Sequence, residues 1–126
     1  MKYPSILMAL AALLAPASPI FAAPGAMSVA TFLAKAEALK AKGMMALFAS
    51  DVGLLKSEVA NAAAAYRRQL RQEAITGKPS ACPPEHAALN SDDLMAQMRT
   101  YPAADRPRIP VTQAVADLIR KRYPCH

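Results

Sequence analysis

Only two cysteines occur in this 126-residue chain, and they stand at the two ends of its last third, Cys82 and Cys125. A bond between them closes a loop of about 44 residues, which on the chain-entropy account is worth roughly 4 kcal/mol. That is a large share of the stability of a small domain. Whether the bond forms depends on the redox compartment, and the first residues speak to that. Met1 to Ala22 has the layout of a secretory signal peptide: Lys2, an apolar run from Ile6 to Leu14, and a small residue at the end. The run falls short of the roughly 20 apolar residues of a membrane span, and Pro16 and Pro19 follow it at once. Cleavage is expected after Ala22, because a cut after Ala23 would put Pro24 directly beyond the bond.

An exported chain with two cysteines is expected to hold one disulfide, Cys82 to Cys125, with no ambiguity of connectivity. A zinc site is the alternative, since Cys82, His86, Cys125 and His126 are all ligand types. The neighbours Cys125 and His126 are poorly spaced for one tetrahedral ion, and no Cys-x-x-Cys offers redox catalysis. Residues 23 to 126 then form a single domain by size. A chain of about 100 residues buries roughly two thirds of its unfolded surface, enough for one core. The net charge of +6 suits anionic partners in general, such as acidic proteins, phospholipid headgroups or polyanions, and selects none of them.

Hydrophobic periodicity predicts helices throughout and no strand. From Ser28 to Lys42, Val29, Phe32, Leu33, Ala36 and Leu39 form one stripe, with Ser28 as N-cap and Gly43 as the stop. Met44, Met45, Leu47 and Phe48 follow as a short apolar knot, expected to join the core. Ser50 or Asp51 is placed to cap a long helix that runs to Ile75 through Leu55, Val59, Ala62, Ala63, Tyr66 and Leu70, and Gly77 and Pro79 end it. A proline-rich loop carries Cys82. Asn90 or Ser91 caps a short helix whose Asp92 and Asp93 suit its positive end. Pro102, Pro107 and Pro110 make a hinge, and a last helix begins near Pro110 or Thr112 and packs through Ala114, Val115, Leu118 and Ile119. Asp117 and Lys121 are spaced as an i, i+4 pair on its outer face. The expected fold is all-α, a small bundle of four or five helices with one disulfide, organised on the long helix from Asp51 to Ile75.

No catalytic or cofactor-binding motif is present: both histidines adjoin the cysteines, and the adjacent aspartates are explained by a capped first turn. Arg67, Arg68 and Arg71 form a cationic strip within about one turn, read either as a contact for an acidic partner or as a solvated face. No aromatic residues interleave to stack on bases, which argues against nucleic acid.

Cys82-Pro83-Pro84, the helix start Ser91-Asp92-Asp93-Leu94, Tyr101-Pro102, a further helix and Tyr123-Pro124-Cys125 follow one another in order. Together they resemble the Tai-type immunity proteins of type VI secretion, over residues 82 to 125. In that family a cysteine and proline precede a helix, a proline follows it, and the last helix ends in aromatic-Pro-Cys. The early additional cysteine and Tyr-x-x-Gly element of family members are replaced here by Ala36 and the run from Ala60 to Ala65. The resemblance implies a small helical periplasmic protein, not an enzyme, that binds and blocks a peptidoglycan-cutting amidase. A general periplasmic binding module, or a chaperone of the acid-stress type, is the alternative. For a partner, two surfaces are expected: the hinge, with Tyr101, Arg106 and Arg108 as anchors, and the strip of Arg67, Arg68 and Arg71, which would speed encounter with acidic surfaces.

Overall fold

The computed structural model describes residues 26 to 126. The expected signal peptide, residues 1 to 22, lies outside them. The described residues form an all-α fold of four helices: α1 (Val29–Lys42), α2 (Ser50–Ile75), α3 (Ser91–Thr100) and α4 (Val111–Arg122). A six-residue 3-10 turn, Gly43–Phe48, joins α1 to α2, and a second, Arg106–Arg108, lies in the hinge before α4.

Helix α1 starts where its first turn is satisfied, the Ser28 hydroxyl accepting from the Thr31 amide at 3.1 Å. It ends at Gly43, whose φ of 59° is left-handed backbone that glycine adopts without a Cβ clash. Its buried residues are Val29, Phe32 and Leu33. Helix α2 is 26 residues long, about 39 Å at the α-helical rise. Neither Ser50 nor Asp51 caps it: Ala49 holds the N-cap position with no side-chain bond, and both polar residues lie in the first turn. Leu55, Ala62, Tyr66 and Leu70 are buried as the periodicity predicts, while Val59 and Ala63 are only half-buried. Helix α3 is capped by the Asn90 side chain, which accepts from the Asp92 amide at 2.8 Å.

The organising helix is α4 rather than the longer α2. Six of its twelve residues are buried, Val111, Ala114, Val115, Ala116, Leu118 and Ile119, against five of 26 in α2. It packs on α1, α2 and α3, with its largest interface against α2. Length made α2 the natural spine in sequence, but a helix is buried by close neighbours on several sides, and α4 packs on the other three helices while α2 packs chiefly on α4. Helices α2 and α4 run in the same direction. Arg120, near the end of α4, stacks over the Tyr66 ring at 5.3 Å, and the Cys82 amide beyond α2 donates to the Tyr123 carbonyl beyond α4. The Cys82–Cys125 disulfide joins the same two ends.

A second closure is non-local. The Val29 amide donates to Ile109 O at 2.7 Å and the Val111 amide to Met27 O at 2.8 Å, around an isolated Ser28–Pro110 bridge. The start of α1 and the start of α4 are thereby laced together, and the backbone groups before each helix are satisfied.

Candidate functional site

The hinge is built from the inside. The Arg106 guanidinium donates from Nε to Tyr101 O at 2.9 Å and from Nη2 to Arg99 O at 3.0 Å. These carbonyls lie at the end of α3, where helix geometry leaves acceptors without intrahelical partners, so Arg106 acts as a C-terminal cap. Tyr101 is half-buried, and its hydroxyl donates to Asp117 on α4. Burial first, and then the bond to Asp117, push its pKa up to about 12. Arg108 points outward and pairs with Asp105 at 2.7 Å. Of the three expected hinge anchors, two are thus engaged within the fold and one is presented to solvent.

Asp117 also differs from its expected pairing. It accepts from Arg120 at 2.7 Å, as well as from Tyr101, and takes no ion pair with Lys121. The pair with Arg120 is an i, i+3 contact within α4, and Tyr101 takes the other carboxylate oxygen. Arg122 reaches Asp93 at 2.6 Å, adding a second tie between α3 and α4. Asp93 therefore serves a helix start and an ion pair, and Asp92 lies exposed beside it.

At the far end of α2, Glu73 accepts from Gln69 and from both the amide and the hydroxyl of Ser80. These bonds, Gln69 first, hold its carboxyl below the usual range. With Tyr66 bonded to Ser80 at 2.7 Å, they fasten the cysteine loop before the disulfide does. Neither Glu73 nor Ser80 was singled out in the sequence; an acid seven residues before a serine across a Gly-x-Pro turn was the available signal. His86 is exposed in that loop and His126 at the chain end. Among the described residues no group of three or more His, Cys, Asp or Glu gathers as metal ligands, and the two cysteine sulfurs are bonded to each other.

The Met44–Phe48 turn overturns its expected place in the core. Met44, Met45, Leu47 and Phe48 are 81, 69, 73 and 86 % exposed. Among the described residues the 3-10 turn packs only on the two helices it joins, α1 and α2, so no third element covers its side chains. Beside this turn lies an open groove of about 720 Å³ between α1, α2 and the segment from Ala87 into α3. Phe32, Leu39, Leu55, Val59 and Met95 are among its apolar lining, Lys40, Lys56, Arg67 and Arg99 supply cations, and Asp92 is the one carboxylate among the described residues that line it.

The arginine strip divides between two environments. All three are exposed on α2, but Arg67 also lines the groove and donates to Ala87 O at 3.0 Å. No family model, curated protein or solved structure matches the chain. The arrangement offers contact chemistry: an apolar surface beside a groove of positive potential, on a scaffold closed by a disulfide. Among the described residues no helix is long and apolar enough to cross a membrane.

Proposed function

We propose that the chain is an immunity-type inhibitor of the periplasm that binds and blocks a cell-wall amidase, acting by contact and not by catalysis. The observation that carries the binding part is the run of exposed apolar side chains at Met44, Met45, Leu47 and Phe48, next to the open groove. A folded domain keeps contiguous large apolar groups in water at a cost, and such patches mark protein contacts. The amidase as partner rests on the ordered resemblance from Cys82-Pro83-Pro84 to Tyr123-Pro124-Cys125. The two ends of that ordered set meet in the fold, Cys82 with Cys125 through the disulfide and with Tyr123 through a backbone bond.

The test uses cells that lyse when they export a type VI amidase effector, taken one effector at a time. Co-export of the full chain is expected to keep them intact, and Leu47→Glu with Phe48→Glu is expected to remove that protection with helical circular dichroism unchanged. Lysis that proceeds equally with and without the chain would sink the proposal. A chaperone-type module would instead hold acid-denatured clients near pH 3 without selecting the amidase.

A further inference from the structure

Resting on the reading of the chain as a partner-binding protein, we infer that the groove between α1, α2 and α3 is the seat for an acidic amphipathic helix of the partner. The groove is lined along α2 from Val52 to Arg67, a span of about 22 Å, or roughly four turns of helix. Its volume of about 720 Å³ alone would also suit a small amphiphile. The placement of charge separates the two. Lys40 and Lys56 stand at the end near the Met44–Phe48 turn, Arg67 at the opposite end, and Arg99 on the α3 side. An anionic lipid carries one charged head and satisfies one end of such a groove. A helix with carboxylates on both flanks of an apolar stripe satisfies all of it, in the helix-in-groove mode that reads anchors at i, i+3, i+4 and i+7.

The floor matches an apolar stripe. Leu55, Val59 and Ala63 follow one another by single turns on α2, facing Phe32, Ala36 and Leu39 on α1. Small residues at Ala36, Ala60 and Ala63 leave the groove open enough for a helix to approach closely. A second copy of this chain is the wrong occupant, because its net charge of +6 repels the same cations. The exposed Met44–Phe48 turn then lies at the mouth of the groove, where it extends the apolar contact past the end of the docked helix.

The test measures fluorescence anisotropy of a labelled peptide of about 15 residues, an amphipathic leucine and glutamate helix, against the full oxidised chain. Its charge-reversed twin, with lysine for glutamate, is expected to bind at least about tenfold more weakly, and rising salt is expected to weaken the acidic peptide. Ala60→Trp obstructs the groove from an exposed position, so it leaves the core intact. It is expected to reduce binding by about tenfold or more, as is Lys56→Glu combined with Arg99→Glu. Equal binding of the two peptides, or acidic-peptide binding unchanged in both variants, overturns the inference. So does binding of palmitate or of anionic vesicles that Ala60→Trp abolishes while neither peptide binds. Amidase inhibition that survives in Ala60→Trp removes the groove and leaves the inhibitor reading standing. Charge-selective peptide binding with no amidase inhibited keeps the groove and removes that reading.

Discussion

Removing one oxygen at Tyr101 tests how the hinge is held. Tyr101→Phe keeps the ring packed and deletes the donor to Asp117, which remains held by Arg120 at 2.7 Å. A hydrogen bond to a charged acceptor contributes about 1.5–3 kcal/mol when well sheltered. Tyr101 is only half-buried, so solvent screening lowers the expected loss to about 1–2 kcal/mol. In a domain of about 100 residues that lowers Tm by roughly 5–10 °C. The same bond has a pH signature. The phenol pKa is raised in the fold, from 10.0 to about 12, so the folded state holds this proton more tightly than the unfolded state. The stabilisation is therefore complete below pH 10 and is lost as pH rises through about 12. Urea unfolding of both proteins at pH 8 and pH 11 is the assay, read as the difference between them so that the other tyrosines cancel. The wild-type advantage is expected to shrink by about 1 kcal/mol over that interval. No difference at pH 8, or a difference that stays constant to pH 11, would refute the reasoning.

Replacing Cys82 and Cys125 together by serine opens a loop of sequence separation 43, and unfolding in urea should show a loss of about 4 kcal/mol; native thiol titration of the wild type should find no reactive thiol. Glu58 is 9 % exposed and its Oε2 has no hydrogen-bond partner among the described residues, so Glu58→Met should raise stability by about 1–3 kcal/mol, and a less stable variant would mean the carboxylate is satisfied after all. Glu73 has its pKa lowered by Gln69 and Ser80, so its contribution is present above the unfolded value of 4.5 and lost as pH falls. Glu73→Gln should therefore unfold with a shallower acid dependence below that pH, measured by circular dichroism, and an unchanged acid limb would contradict the assignment.

The helices and their ends were legible in the sequence because local chemistry sets them. Ser28 and Asn90 cap, Gly43 takes a positive φ, and the period places the buried residues of α1, α3 and α4, although Ala36, Leu39 and Met95 on those stripes are only half-buried. The disulfide was legible because two cysteines leave one pairing. What was not legible depends on how helices meet. Met44, Met45, Leu47 and Phe48 are as apolar as any core segment, and they are exposed because their turn packs on α1 and α2 alone among the described residues. Arg106 looked like a surface anchor, yet the carbonyls at the end of α3 lie within reach and take its guanidinium. The lacing of Val29 to Ile109 and of Met27 to Val111 joins segments some 80 residues apart, with no local pattern to announce it. The groove was invisible for the same reason: its cations come from α1, α2 and α3, and of its Lys40, Lys56, Arg67 and Arg99 only Arg67 belonged to the arginine strip.

Inhibition by contact is tested most directly by following hydrolysis of purified peptidoglycan by type VI amidase effectors while the oxidised full-length chain is titrated against each. Activity is expected to fall linearly and to vanish near equimolar inhibitor, as for nanomolar binding at micromolar enzyme. Undiminished hydrolysis at about tenfold excess of the chain would contradict it.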